Sequence, residues 1–158
     1  MLKILMVLLV STSALASQDD KSRWNSKYAD KKYHFGEEPI EFIKETLSLL
    51  PRGKVLDIAM GEGRNGVYLA VQGFDVKGVD ISDVGLKKAE ALAKKNQVTI
   101  KTEVADLTKN FSLPENTYDV IILSYYLQRD LFAKIKKALK PGGVAIIESY
   151  NLDYAKYN

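Results

Sequence analysis

The strongest constraint on the fold is an alternation of short apolar segments with helical segments between residues 54 and 149. Strands are predicted at 54–59, 75–79, 99–104, 118–124 and 144–149, and helices between them at 65–72, 84–96 and 130–139. Strands joined through single helices pair in parallel, and the helices cover both faces of the sheet. We therefore predict an α/β fold with a doubly wound parallel sheet of about five strands.

The first sixteen residues have the pattern of a secretory signal peptide. Lys3 precedes an apolar run at 4–10, and Ala14-Leu15-Ala16 predicts cleavage after Ala16. The run is too short for an ordinary membrane span of about 20 residues. The pattern predicts a periplasmic or secreted protein with no membrane attachment after cleavage. The alternative is a retained, buried N-terminal helix of a cytoplasmic protein.

Two further regions follow this segment. Residues 17–38 are polar and aromatic and are interpreted as an N-terminal arm, either irregular or a short helix. Residues 39–158 form the main domain. Its first helix is predicted from Pro39, which suits the first helical position, and its apolar residues recur at helical spacing, namely Ile40, Ile43, Leu47 and Leu50.

Composition excludes several kinds of site and partner. The chain has no cysteine and one histidine, His34, so disulfides, thiolate metal sites and multi-histidine metal sites are excluded. The net charge is +3, and the lysines are spread over predicted helices rather than gathered in one patch. We therefore predict no metal site and no nucleic-acid partner.

A glycine-rich segment connects the first strand to the next helix. Gly61, Gly63 and Gly66 are spaced as G-x-G-x-x-G. Glycine lets the backbone turn sharply and approach a ligand closely, and the following helix presents its first N–H groups to that ligand. The segment therefore predicts a nucleotide-like ligand at the carboxyl ends of the strands, where such sheets bind ligands.

Three acidic residues follow or end the first three strands. Asp57 ends the first strand, Asp80 ends the second, and Asp106 follows the third. A carboxylate at the second position can accept hydrogen bonds from both ribose hydroxyls, and Asp106 could accept one from an adenine amino group. Each residue alone has an ordinary alternative: the glycines could form a simple tight turn, and Asp80 could cap a helix.

The same glycine spacing also occurs in nicotinamide and flavin oxidoreductases. That rival interpretation conflicts with Asp57, because the fingerprint of those enzymes prefers an apolar residue there.

Several strings resemble the motifs of class I S-adenosylmethionine-dependent methyltransferases: Val55 to Asn65, Gly78 to Ser82, Ala105 to Leu107, Tyr118 to Ile121 and Leu139 to Gly143. The subgroup that the sequence resembles most is the tellurite-resistance and thiopurine type. That likeness rests on Trp24-x-x-x-Tyr28, Gly36-x-x-Pro39, Gly61-Glu-Gly-Arg-Asn65 and Tyr126-Leu-Gln-Arg129. The resemblance covers about residue 23 to the end.

The resemblance implies a Rossmann-like sheet and S-adenosylmethionine as the cofactor. The implied cofactor residues are Asp57, Ala59, Gly61, Gly63, Arg64, Asn65, Asp80, Ile81, Asp106, Leu107 and Ser124. It further implies a small-molecule acceptor of the thiol or chalcogen-oxyanion class. Candidates to contact that acceptor are Tyr33, Tyr126 and Arg129, and no residue is predicted to be catalytic. Trp24 and Tyr28 are interpreted as a flap over the cofactor.

The chain departs from the family pattern in three ways. Ala59 replaces the first glycine of the first motif, and Met60 follows it, where it could narrow the site or pack in the core. The chain ends at Asn158, before the usual C-terminal antiparallel hairpin, so an exposed sheet edge and pairing into a homo-oligomer are predicted. An export signal also conflicts with a cytoplasmic methyl donor. A non-catalytic or degenerate binding module is therefore the alternative function.

Overall fold

The computed structural model describes the backbone of residues 12–150 and the side chains from residue 19 onward. Most of the predicted signal peptide lies outside this range, and residues 12–16 belong to the first helix. Within the described residues, no helix combines the length and the apolar character needed to cross a bilayer.

The described residues form one parallel sheet flanked by helices. The strands are β1 (Lys54–Ile58), β2 (Asp75–Asp80), β3 (Lys101–Val104), β4 (Tyr118–Ser124) and β5 (Leu139–Glu148). The helices are α1 (Thr12–Lys27), α2 (Glu41–Thr46), α3 (Arg64–Val71), α4 (Asp83–Lys95) and α5 (Leu131–Ala138). The strand order is β3-β2-β1-β4-β5, and every pairing is parallel. The predicted α/β, Rossmann-like fold is confirmed.

The neighbouring strands β1 and β4 are mostly apolar because both faces of the sheet are covered. Val55 and Val120 point to the face on which α3 and α4 pack, whereas Leu56 and Ile121 point to the face covered by α5. All four side chains are fully buried. This explains why β1 and β4 place consecutive apolar residues, Val55-Leu56 and Val120 to Leu123, where a one-faced strand would alternate.

Strand β5 has a bulge-like shift of register in its pairing with β4. The strand begins at Leu139 rather than at Val144, because Leu139 already pairs with Tyr118. Between this pair and the pair of Val120 with Val144, the register of the two strands shifts. Gly142 takes a φ of 79° there, which glycine adopts without strain. The predicted start of the fifth strand at residue 144 was therefore too late, and Gly142 and Gly143 mark the irregularity.

The helix predicted from Pro39 begins two residues later. Ile40 is extended, with ψ at 144°, and its backbone N–H donates to Asn65 Oδ1 over 3.0 Å. This bond from a distant side chain holds Ile40 outside the helix. The predicted apolar face is nevertheless correct, since Ile40, Ile43 and Leu50 are buried.

Candidate functional site

A cleft lies at the carboxyl ends of β1, β2 and β4, beneath the N-terminal arm. Of the eleven predicted cofactor residues, ten line it: Ala59, Gly61, Gly63, Arg64, Asn65, Asp80, Ile81, Asp106, Leu107 and Ser124. The parallel sheet brings these residues together, because strands that run in one direction all end at the same edge.

The glycine turn forms the floor of the cleft between β1 and α3. Gly61 and Gly63 have φ values of 57° and 87°, a region that favours glycine. The Gly63 N–H donates to the carbonyl of Met60, which closes the turn. Helix α3 begins directly after the turn, at Arg64, and its first N–H groups have no partners within the helix.

Asp80 is a buried carboxylate that lines the cleft. It is 6% exposed, its Oδ2 accepts from the Gly61 N–H over 2.7 Å, and its Oδ1 accepts from the Ser82 N–H over 2.8 Å. Burial raises its pKa, and the backbone hydrogen bonds act in the opposite direction. The cap of α4 is Ser82, whose Oγ accepts from the Gly85 N–H. Asp80 therefore supports the glycine turn and does not serve as the cap.

Asp106 also lines the cleft. Its Oδ1 accepts from both the backbone N–H and the hydroxyl of Thr108, at 3.0 and 2.6 Å. Lys109 forms an ion pair with its other oxygen at 3.3 Å. These contacts shape the loop after β3 and hold the carboxylate near the apolar side chains of Ile81 and Leu107.

Asp57 is the one predicted cofactor residue that does not line the cleft. It is 1% exposed and lies beneath the glycine turn, where Gly66 approaches it. Burial raises its pKa to about 7, the charge of Asp80 acts in the same direction, and a hydrogen bond from the Gly66 backbone opposes both. The structure thus gives Asp57 a place in the support of the turn.

The buried Asp57 carboxyl is expected to make stability depend on pH. Its pKa is raised from 3.8 to about 7 on folding, so the folded state holds the proton more tightly than the unfolded state. Stability must fall as pH rises through this interval, by up to about 4 kcal/mol. Relative to wild type, Asp57→Asn should gain stability at pH 8 and lose that gain near pH 4. Urea unfolding at several pH values measures this, and a constant difference between the proteins would contradict it.

Asn65 connects three parts of the site. Its Oδ1 accepts from the Ile40 N–H, and its Nδ2 donates to Ser124 Oγ over 2.9 Å. The side chain is therefore occupied in joining the start of α2, the glycine turn and the end of β4. This fixes the distance between two walls of the cleft.

Arg64 lies at the mouth of the cleft between two aromatic rings. Its guanidinium is 5.9 Å from the ring centroid of Phe35 and 5.8 Å from that of Tyr125, and it donates to the Phe35 carbonyl. Tyr125 has a φ of 55°, which is unusual for an aromatic residue. Its hydroxyl donates to Glu148, which raises its pKa to about 12. The mouth is thus aromatic and carries a positive charge.

The arm contributes a wall of the cleft that includes residues the sequence reasoning missed. Trp24 and Tyr28, the predicted flap, line the cleft with ring centroids 5.5 Å apart. Asp20 and Arg23 of α1 line it as well and were not predicted. The sequence did contain a pattern that indicates this wall. Asp20, Trp24 and Tyr28 recur every four residues, so they share one face of a helix. Other lining residues that were not predicted are Phe35, Gly36, Glu62 and Thr108.

Of the three candidates for contact with the acceptor, only Tyr126 lines the cleft. Its hydroxyl donates to Gln128 over 2.6 Å. Tyr33 instead packs against the outer side of α4, and its hydroxyl donates to the Lys88 carbonyl. Arg129 is exposed in the loop before α5, away from the cleft lining.

Ala59 and Met60 are the two departures from the family pattern that lie within the first motif. Met60 is 7% exposed and fills the space above Gly78, where an added Cβ would lie 1.9 Å from its sulfur. It therefore packs in the core while its edge borders the cleft. Ala59 takes a φ of 55°, so alanine is strained at the position where the family has glycine.

Ala59→Gly is expected to raise the free energy of unfolding by about 1 kcal/mol, because removing left-handed strain outweighs the flexibility gained by the unfolded chain. Urea unfolding measures it. The matched control is Ala70→Gly within α3, which should lower stability by about 1 kcal/mol or more. Destabilisation by both substitutions would contradict the assignment of strain to Ala59.

The comparison with known families decides what kind of cleft this is. Residues 55–143 match the family model described as "Methyltransferase domain". The chain belongs to this methyltransferase family. The matched range includes the glycine turn, Asp80 and Asp106. S-adenosylmethionine is accordingly the cofactor of this methyltransferase domain, and the oxidoreductase interpretation of the glycine spacing is superseded.

Curated relatives of the methyltransferase domain act on different acceptors, according to their names. A ribosomal protein L11 methyltransferase of Thermus thermophilus is 32% identical over 109 residues, covering 68% of this chain and 42% of the relative. A ubiquinone biosynthesis O-methyltransferase of Rickettsia canadensis is 28% identical over 120 residues, covering 71% and 49%. The chain spans less than half the length of the curated relatives that it was compared with.

A solved structure supports the same family. A TehB-like SAM-dependent methyltransferase from Corynebacterium glutamicum is 27% identical, with a TM-score of 0.56, and the match covers 85% of this chain and 72% of that one. The methyltransferase domain therefore shares both sequence and fold with that protein.

Proposed function

We propose that this chain transfers the methyl group of S-adenosylmethionine to a small nucleophile. The observation that carries this proposal is the buried Asp80 carboxylate beside the glycine turn. Asp80 lies at the end of β2, where a carboxylate can accept hydrogen bonds from both hydroxyls of a ribose. A cofactor with a ribose, an adenine and a charged tail requires such groups.

The residues of the cleft fit that cofactor at each end. Asp80 would bind the ribose, and the walls of Ile81 and Leu107 with Asp106 would enclose the adenine. The turn at Gly61 and Gly63 would meet the amino-acid tail with backbone groups rather than side chains. When bound, the cofactor supplies a methyl group on a sulfonium, which is already electrophilic.

The protein then has to position the acceptor. Alignment of the acceptor with the methyl group contributes several kcal/mol, and a general base is dispensable when the acceptor is already an anion. The mouth of the cleft provides the positive charge of Arg64 and the rings of Phe35 and Tyr125. These groups favour a small anionic or polarisable acceptor, and we propose a thiolate or a chalcogen oxyanion. The TehB-like neighbour supports the subgroup in this proposal.

The acceptor can be tested by following the demethylated cofactor. Full-length protein would be incubated with S-adenosylmethionine and one acceptor at a time, comprising thiols, selenite, tellurite and a catechol. Chromatography would quantify S-adenosylhomocysteine. Turnover with thiols or oxyanions, reduced in Arg64→Met, supports the proposal. Turnover only with the catechol would contradict the acceptor class, and cofactor binding without any turnover would favour a non-catalytic module.

Two further proposals concern the location and assembly of the chain. We propose export, on the pattern of residues 1–16, and cytoplasmic location if the N-terminus is retained. We also propose that β5, which lies at the edge of the described sheet and exposes 43% of Ile147, pairs with a second copy. Cell fractionation and sedimentation at several protein concentrations test these two proposals separately.

A further inference from the structure

A buried ion pair lies between the glycine turn and α4. Lys88 of α4 contacts Glu62, and their side chains are 16% and 3% exposed. Charged side chains are rarely buried so deeply unless they are paired, because removal from water is costly. The contacts that Glu62 and Lys88 make with other segments therefore indicate why the pair is buried.

Lys88 binds the arm through backbone carbonyls. Its Nζ donates to the carbonyl oxygens of Tyr28, Asp30 and Lys32, at 3.3, 2.9 and 2.7 Å. One ammonium group thus contacts the carbonyls of three alternate residues in the segment that follows α1. An ammonium has three protons, so with Glu62 as a fourth acceptor no donor is left over and at least one proton is shared.

Glu62 binds the same segment through backbone N–H groups. Its Oε2 accepts from His34 N over 2.7 Å and from Phe35 N over 3.3 Å. Glu62 itself belongs to the glycine turn, between Gly61 and Gly63. The two charged residues therefore hold residues 28–35 against the turn from both ends of the segment.

The held segment forms a wall of the cleft. Tyr28 is 5% exposed and lies so close to the turn that a Cβ at Gly61 would come within 2.8 Å of its hydroxyl. Phe35, at the other end, packs beside Arg64 at the mouth. Helix α1 has a separate attachment, since Asn25 hydrogen-bonds with Ser82 and Asp83. Loss of the ion pair should therefore loosen residues 28–36 while α1 stays in place.

We propose that Glu62 and Lys88 are positioning residues that set the affinity for the cofactor by holding residues 28–35 over the cleft. They act through Tyr28 and Phe35 rather than through the reacting atoms. This inference rests on the proposed function for its cofactor, but the holding of the arm is a property of the chain alone.

Hydrogen exchange and calorimetry test the two parts separately. Glu62→Gln, Lys88→Met, Lys88→Arg and the double variant Glu62→Gln/Lys88→Met would be compared as full-length proteins without cofactor. The matched control is Lys95→Met, because Lys95 also joins the arm to α4 through Glu37, but in an exposed ion pair. Mass spectrometry would follow exchange in peptides covering 28–36 and 19–27. Calorimetry would measure binding of S-adenosylmethionine.

Lys88→Met and Glu62→Gln should speed exchange at 28–36 by at least tenfold and leave 19–27 unchanged. Both variants should weaken cofactor binding about tenfold or more. The double variant should bind no more weakly than Lys88→Met, and Lys88→Arg should recover part of the lost affinity. Lys95→Met should stay within about twofold of wild type. If Lys88→Met does not fold, Glu62→Gln carries the test, because it keeps an acceptor for the arm.

Unchanged exchange at 28–36 would overturn the holding role. Faster exchange with unchanged affinity would overturn the link to the cofactor. A folded wild-type chain that binds no S-adenosylmethionine would overturn that link together with the proposed function, and exchange at 28–36 would still decide whether the pair holds the arm.

Discussion

Asp80→Ala is expected to weaken the binding of S-adenosylmethionine by at least about 100-fold. The side chain is buried at the cleft, and both of its oxygens already accept one backbone N–H each. The remaining lone pairs would accept the two ribose hydroxyls, and a hydrogen bond to a charged group contributes about 1.5–3 kcal/mol. Two such bonds correspond to roughly 3–6 kcal/mol, which is two to four orders of magnitude in affinity.

Two further variants separate binding from folding. Asp80→Asn keeps the shape of the side chain and one oxygen acceptor, but its amide NH2 faces a backbone N–H that the carboxylate accepts. It should therefore be less stable than wild type but still fold, and bind with intermediate affinity. Asp75→Ala changes a carboxylate at the other end of the same strand, where the side chain is exposed, and should bind as wild type. Calorimetry on the folded proteins measures all three. Equal affinity for Asp80→Ala and Asp75→Ala would contradict the assignment of Asp80 to the ribose.

Gly63→Ala is expected to lower the free energy of unfolding by roughly 2–5 kcal/mol. Gly63 has a φ of 87°, and left-handed backbone costs an alanine about 1–2 kcal/mol. In addition, a Cβ at this position would lie 2.5 Å from Ala89 Cβ and 2.9 Å from Ala89 Cα. Because the Cα belongs to the backbone of α4, it cannot rotate away. Overpacking of this kind costs about 1–3 kcal/mol.

The matched control for this substitution is Gly73→Ala. Gly73 has a φ of 88°, but no atom lies within 4 Å of an added Cβ. Gly73→Ala should therefore lose only about 1–2 kcal/mol of stability, from left-handed strain. The difference between the two variants measures the cost of the close approach of the turn to α4. Urea unfolding monitored by circular dichroism gives both values. Equal losses would show that the turn and α4 can separate without cost.

Much of the fold was predictable because its signals are local. The segments 54–59 and 118–124 contain consecutive apolar residues rather than a strict alternation, which indicates strands covered on both faces. Their order along the chain, with helices between them, then requires parallel pairing. The same topology brings Asp80, Asp106 and the glycine turn to one edge, so their neighbourhood followed from sequence. The bulge in β5 could not be predicted, since it depends on the pairing of Leu139 with Tyr118.

The arm and its contacts depend on residues that are distant in sequence. Lys88 has the sequence context of an ordinary solvated helix face, and nothing nearby indicates that Glu62 lies opposite it. Asp57 matched the family motif, yet the structure buries it beneath the turn. Tyr33 and Arg129 were named for their chemistry, but the path of the backbone directs them away from the cleft. The sequence thus predicted the residues at the strand ends better than it predicted the N-terminal arm that covers the cleft.

Calorimetry on the folded full-length chain tests the central claim most directly. Three ligands would be compared under the same conditions: S-adenosylmethionine, S-adenosylhomocysteine and NAD. We expect micromolar binding of the first two and no measurable binding of NAD, because the first two share an amino-acid tail for the glycine turn, which NAD lacks although it also has an adenine and a ribose. Binding of NAD alone, or of none of the three, by a chain that is shown to be folded would contradict the assignment of this cleft to methyl transfer.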